Sequence, residues 1–235
     1  MNHLFVISSA INTKFGEFDS NQRLLQTYRT FKSVHDRVPN AKVAVIESSG
    51  YPLDPEIVKS LQNVLHCLVD MSRNEEVSRI HRSTPNWDIV KNACEIMCFT
   101  AGFNMIQETG ILDGIDRIHK LSGRYLLTDD FDLSLYEKYP DKIIITEKLP
   151  TTFGEFVNIP YQYVSRLWSW PIQHHDTIKK FYLEALMELK DRVDNRKYAD
   201  IEHLMYLLLP KDLIQEVPLV GVEGLIGGNK RYVRN

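Results

Sequence analysis

The stretch His3-Leu4-Phe5-Val6-Ile7-Ser8-Ser9-Ala10-Ile11 is short, apolar and rich in β-branched residues, and it ends in small polar ones. It has no basic leader and too short an apolar run for a secretory signal, so it reads as a first β-strand. Asp19, with Gln22 three residues on, supplies the chemistry of a capping box. Leu24, Leu25, Tyr28, Phe31, Val34 and Val38 then recur at helical spacing. Pro39-Asn40 stops that helix, and Lys42 to Ile46 reads as a second strand. Asp54-Pro55-Glu56 opens another helix, with a capping acid, a proline at the first position and an acid suited to the dipole. Ile57, Val58, Leu61, Val64 and Leu65 give its buried face, and Cys67 to Val69 a third strand. A β-α-β-α-β order with short connections predicts a parallel sheet covered by helices.

Further along, Asp88 leads a helix carrying Ile89, Val90, Ala93, Ile96, Met97 and Ala101. Ile115 to Leu121 reads as a fourth strand broken by Ser122-Gly123, Lys142 to Thr146 as a fifth and Gln162 to Trp168 as a sixth. Helices are expected from about Asp176 to Val193 and from Asp200 to Leu209. A last strand is expected from Pro218 to Ile226, with glycines at 221, 224, 227 and 228. No repeat, low-complexity tract or linker interrupts the chain, so residues 1–235 are expected to form one α/β domain.

With 235 residues, 43% of them hydrophobic, the chain can bury one sizeable core and does not fit a disordered protein. Its 28 Lys and Arg against 31 Asp and Glu give a formal charge of −3, which argues against a general nucleic-acid binder. That balance still allows a local cationic pocket. Three cysteines make no disulfide framework, and Cys94 and Cys98 lie within a helical pattern. No apolar run approaches the ~18 residues of a membrane span, and a cytosolic location is expected.

The common phosphate and catalytic motifs are absent. No Gly-Lys pair occurs, which removes a Walker A loop. Gly221-Val222-Glu223-Gly224-Leu225-Ile226-Gly227-Gly228 superficially matches a dinucleotide fingerprint, but only seven residues follow it, too few for the helix and strand it requires. HExxH, GxSxG and CxxC patterns are also missing. His174-His175-Asp176 contains metal-ligand types, but neighbouring side chains in an extended segment point to opposite faces, which favours surface or capping roles.

The segment Lys120-Leu121-Ser122-Gly123-Arg124-Tyr125-Leu126-Leu127-Thr128-Asp129-Asp130-Phe131-Asp132 resembles the K-x-S-G-R-Y stretch of a group of bacterial and viral glycosyltransferases with the GT-A fold. Ile201-Glu202-His203 followed by Gly221-Val222-Glu223-Gly224 looks like the terminal pattern of the same group. With the opening β-α-β units, the resemblance covers most of the chain. It implies a GT-A-like, Rossmann-like mixed sheet flanked by helices, with a nucleotide-binding half (1–125) and an acceptor-side half (126–235). It also implies a nucleotide-sugar donor and a glycan or related acceptor as partners. A nucleotidyltransferase of similar fold and a non-catalytic interaction module are the alternatives.

Ligands of parallel α/β sheets sit beyond the carboxyl ends of the strands. This places Ser8, Ser9 and Asn12 beside Glu47 in the expected nucleotide site. Glu47 is the candidate for holding base or ribose, against an ordinary loop acid or cap. In the resemblance, an Asp-x-Asp holding Mg²⁺ or Mn²⁺ commonly follows the fourth strand. Here Ser122-Gly123-Arg124 stands in that place without a carboxylate, and Lys120 and Arg124 are expected to neutralise the diphosphate, with Ser122 and the Gly123 amide donating hydrogen bonds. A literal Asp130-Phe131-Asp132 lies just downstream, where metal binding competes with helix capping. Lys91, Asn92 and Arg23 are expected at the donor, with a solvated helix face as the alternative for each. Glu202 is the candidate general base, Glu223 the second, its flanking glycines admitting substrate, and Asp200 reads as a cap beside them. Tyr161, Tyr163, Trp168 and Trp170 fit either acceptor stacking or core.

Overall fold

The computed structural model describes residues 1–151, 153–226 and 231–235; Gly227 and Gly228 lie outside them. The first half runs β1 (His3–Ser9), α1 (Ser20–Arg37), β2 (Lys42–Glu47), α2 (Pro55–Gln62), β3 (Cys67–Asp70), α3 (Glu75–Ser83), α4 (Trp87–Glu108), β4 (Arg117–Ser122) and β5 (Tyr125–Leu127). The second runs α5 (Leu133–Lys138), β6 (Ile143–Thr146), β7 (Leu149–Pro150), α6 (Gly154–Val157), β8 (Tyr161–Gln162), β9 (Leu167–Pro171) and α7 (His175–Asp194). It ends with α8 (Ile201–Leu208), β10 (Ile214–Val217), β11 (Val222–Leu225) and β12 (Tyr232–Arg234).

One seven-stranded sheet, in the order β10-β6-β9-β4-β1-β2-β3, runs through both halves of the chain. Parallel pairing joins β3, β2, β1 and β4, with Ser8 opposite Ser122 and Ser9 opposite Glu47. The carboxyl ends of these strands therefore open on one rim. β9 runs antiparallel between β4 and β6, so the sheet is mixed. A smaller sheet, β12-β11-β5, stands beside it.

The capping chemistry forms as read from sequence: Asp19 and Gln22 close a reciprocal box at α1, and Asp54 caps α2 ahead of Pro55. α4, α7 and α8 contribute to the core on one face of the sheet, while α1 and α5 contribute to that on the other. Phe99 stacks on Tyr182 at 5.1 Å, and Phe103 meets Trp170 edge-on at 5.8 Å. Trp168, Trp170 and Tyr163 are at most 2% exposed and belong to this core, so they present no face to an acceptor; Tyr161 packs against Tyr206.

Several boundaries differ from the sequence reading. The expected strand from Gln162 to Trp168 is Leu167–Pro171 instead, and all five residues of it are buried. A strand covered on both faces shows no alternation by which to fix its ends. The last strand contracts to Val222–Leu225. α3 was not anticipated because its nine residues are mostly polar, with Val77 and His81 its buried ones. Among the described residues no helix is long and apolar enough to cross a membrane.

Two histidines lie inside the sheet's second face. His119 stacks on Phe5 at 4.4 Å, and its Nε2 lies 2.9 Å from His3 Nδ1. Burial, then the terminal amine and Arg117, lower His3 to about 4; burial, His3 and Arg117 push His119 well below the ordinary imidazole range. Burial also lowers His175 to about 4. Such rings stay neutral when folded but take up a proton when unfolded, so stability is fully present above the unfolded pKa. It is lost as pH falls from there toward the folded value, by about 1.4 kcal/mol per pH unit for each ring. The carboxyls of Glu47 and Glu202, both raised by burial, work in the opposite sense. Comparing the protein with His119→Phe isolates the ring: between pH 6.5 and 5 the variant's melting temperature should fall less steeply. Equal slopes would refute the assignment.

Candidate active site

A cleft of about 670 Å³ opens at the carboxyl ends of β1 and β4. Ser8, Ser9, Ser122 and Gly123 line its floor, where the two strands meet. The Gly123 amide donates to the Ser8 carbonyl at 2.8 Å, and a Cβ on Gly123 would lie 2.7 Å from that same oxygen. The approach of the two backbones explains why the chain has glycine there.

Among the described residues, four Lys or Arg side chains line the cleft: Arg23 from α1, Lys91 from α4, Arg124 from the turn after β4, and Arg166 from the segment before β9. Arg23 is largely buried and donates to the carbonyls of Phe18, Ala10 and Phe15, which anchors the loop above the cleft. Burial and then the charge of Arg124 lower its pKa to about 10, which places two guanidinia near enough to repel. Arg124 Nε is buried and has no hydrogen-bond partner among the described residues. An orphaned donor in such a position is costly unless an acceptor enters. Arg166 is held by Tyr125, with Nε 3.2 Å from the phenol oxygen, and by Asn235.

The acidic side of the cleft is formed by α8 and α4. Asp200 caps α8 by accepting from the His203 amide, and it also receives His203 Nδ1 at 2.7 Å. Burial opposes its ionisation, but these bonds and the ring's charge outweigh it, holding the carboxyl below its ordinary range. Glu202 behaves oppositely: burial and then the neighbouring charge of Asp200 raise its pKa. Its Oε1 accepts from the Ser165 amide at 2.9 Å and the Ser165 hydroxyl at 3.1 Å. Asn92 is fully buried; it donates to the Tyr198 hydroxyl at 2.7 Å and accepts from the Ile201 amide at 3.1 Å, joining α4 to α8 behind the cleft.

Of the residues singled out from sequence, Ser8, Ser9, Arg23, Lys91, Asn92, Ser122, Gly123, Arg124, Asp200 and Glu202 share this cleft. Others stand elsewhere. Lys120 points under the floor, 1% exposed, where its ammonium meets Glu95 at 2.6 Å and donates at 3.0 Å to both Ser122 Oγ and the Ser165 carbonyl. Its charge is spent on a buried carboxylate rather than on a ligand. Glu47 is wholly buried and accepts from the Ile11 and Ser49 amides, so it offers no surface to a base or ribose. Asn12 is tied to Ser49 Oγ and the Pro52 carbonyl.

Glu223 lies on β11, where it accepts from the Tyr232 hydroxyl, outside the cleft lining among the described residues. The group close to Gly224 is the backbone of Arg124 and Tyr125, not a substrate: a Cβ would lie 2.5 Å from the Arg124 carbonyl. Asp130 is ion-paired with Arg234, and Asp132 caps α5 by accepting from the Ser134 amide at 2.9 Å. Among the described residues no three His, Cys, Asp or Glu side chains gather in a way that suits a metal ion. Neither Asp130 nor Asp132 is among the described residues that line the cleft, so this Asp-x-Asp stands apart from the cationic side chains gathered there.

Sequence reasoning missed Ser165, Arg166 and Glu95. The first two precede an antiparallel strand, whose beginning lies at the rim where parallel strands end. Glu95 carried a readable signal, an acid one turn after Lys91 and Asn92 and one turn before Cys98 and Phe99 on the same helical face.

No protein-family profile matches the sequence, and no curated protein matches it either. Among solved structures, the chain is similar to the crystal structure of mouse xyloside xylosyltransferase 1 in its apo form, at 11% sequence identity. The match covers 92% of this chain and 84% of that one, with a TM-score of 0.50. At that identity the likeness establishes the architecture: the chain has a GT-A-like glycosyltransferase fold, a mixed sheet flanked by helices.

Proposed function

We propose that this chain is a glycosyltransferase that takes a sugar from a nucleotide-diphosphate donor in the cleft beyond β1 and β4. The observation that carries the reading is that two neighbouring guanidinia, Arg23 and Arg124, line the same cleft as Glu202, whose carboxyl is raised by burial. Guanidinia suit a diphosphate because their planar donors match its oxygens. A carboxylate of raised pKa suits removal of a proton from an acceptor hydroxyl. In the transfer, the acceptor oxygen bonds to the sugar's anomeric carbon as the bond from that carbon to the diphosphate breaks. The hydroxyl proton passes to Glu202, and the nucleoside diphosphate leaves against Arg23 and Arg124. Lys91, on the first turns of α4, adds a third positive charge. Ser8, Ser9, Ser122 and the Gly123 strand end form the floor beneath the donor.

Isothermal titration with UDP, GDP, CDP and ADP tests this, each with Mn²⁺ and with EDTA. One nucleotide should bind selectively, and the difference between the two conditions reads its dependence on metal. Arg124→Ala should weaken it by roughly 10- to 100-fold, the effect of losing one charge-assisted contact of ~1.5–3 kcal/mol. Unaltered affinity in the variant would sink the cationic-site assignment.

A further inference from the structure

We infer that a second groove, adjoining the cleft on its α8 side, binds an oligosaccharide bearing carboxylate groups, as the acceptor of the reaction. This rests on the reading of the cleft as a transfer site. The groove has a volume of about 270 Å³, and α4 and the segment before α8 form its boundary with the cleft. Trp87 lines the cleft, whereas Asn86 and Asp88 on either side of it line the groove. Tyr198 gives its ring to the groove, and its hydroxyl receives Asn92, a residue of the cleft wall. Phe153 sets its ring edge-on to His203 at 5.7 Å, one residue from Glu202. A chain lying in the groove would therefore meet the cleft at the wall formed by Trp87 and Asn92.

The lining is chemically suited to a sugar. Phe153 and Phe156 are 49% and 60% exposed, an unusual state for two large aromatic side chains that share one groove. Aromatic faces stack on the apolar faces of pyranose rings, and here they replace Trp168 and Trp170, which the core consumes. Arg196 and Lys197 add two positive charges, and Asp88 on the same lining removes one. The lining is left cationic, which suits a sugar carrying an anionic group, and the planar guanidinium of Arg196 matches the two oxygens of a carboxylate. Arg196 takes the left-handed backbone, φ 57°, that ends α7, with the Lys197 amide donating to the Arg192 carbonyl at 2.7 Å, and this turn fixes where the two cations leave the helix.

Trp87 supplies the readout, because it is 49% exposed while Trp168 and Trp170 are buried. Titration with hyaluronan hexasaccharide should change its fluorescence saturably, and maltohexaose, which has no carboxylate, should bind more weakly by about tenfold. Phe156→Ala, and separately the double variant Arg196→Asn with Lys197→Gln, should each weaken hyaluronan binding about tenfold. Nucleoside diphosphate affinity, measured by calorimetry, should stay unchanged in both. All three positions are exposed, and the two variants probe different chemistry, so misfolding of one leaves the other decisive. Absence of saturable binding, equal binding of the two sugars, or unchanged affinity in the variants would overturn the inference. Nucleotide binding without hexasaccharide binding would remove the groove assignment alone; the reverse would leave a glycan site and remove the transferase reading.

Discussion

Glu202→Gln should lower the rate of sugar transfer by roughly 10²- to 10⁴-fold, the usual contribution of a general base, while nucleoside diphosphate affinity stays within about twofold. The substitution separates chemistry from architecture. Glutamine keeps the carbonyl oxygen that receives the Ser165 amide and hydroxyl, so the strand-to-helix contact survives. It cannot accept a proton. The proposed nucleotide contacts are those of Arg23, Arg124 and the β1 and β4 ends, which the substitution leaves in place. The pH profile gives an independent check. Burial and the charge of Asp200 raise Glu202, so the acid limb of the wild-type rate should bend above the ordinary glutamate range. That limb should disappear from the residual rate of the variant. A variant that transfers sugar at the normal rate would remove Glu202 from the mechanism.

Lys120→Met should destabilise the protein by about 3–5 kcal/mol, the cost of removing one partner of a buried ion pair. For a chain of this size that corresponds to a fall of roughly 6–20 °C in melting temperature. Methionine fills the space of the stem but leaves Glu95 facing a buried site without its counter-charge. Burial alone would raise Glu95; the ammonium of Lys120 reverses that and keeps it below its ordinary range. Lys120 also holds the Ser165 carbonyl, and Ser165 in turn holds Glu202, so the variant should disturb the base as well as the core. Adding Glu95→Leu should recover most of the lost stability, because an apolar pair of similar volume replaces a buried ion pair at little cost. If Lys120→Met melts like the wild type, the pair carries no such weight. If the double variant is no better than the single one, the loss came from packing rather than from charge.

The parallel half of the sheet was readable because each strand is bounded by capping or turn residues with defined backbone preferences. Asp19 with Gln22 and Asp54 with Pro55 are the clearest instances, and both form the predicted caps. The antiparallel half was less readable. Leu167-Trp168-Ser169-Trp170-Pro171 is buried throughout, so its sequence gives neither a period nor a direction. The direction decides the rest, since it brings Ser165 and Arg166 to the cleft. Among the site residues, Glu47 at the end of β2 fell in the core, while those at the ends of β1 and β4 fell on the cleft. Lys120 did not, because a strand alternates its side chains between faces. From sequence, nothing showed that its face was occupied by Glu95 of α4.

The contact between Gly123 and the Ser8 carbonyl bears on how such an enzyme could be re-engineered. Where two main chains touch, the floor beneath the donor is set by peptide geometry and has almost no side-chain alphabet to vary. A library aimed at a new donor would spend its diversity poorly at position 123, where any side chain would press on the Ser8 carbonyl. The same effort placed on Lys91, Arg166 and Ile226, which overhang the cleft from outside that contact, would sample new specificities on an unchanged foundation.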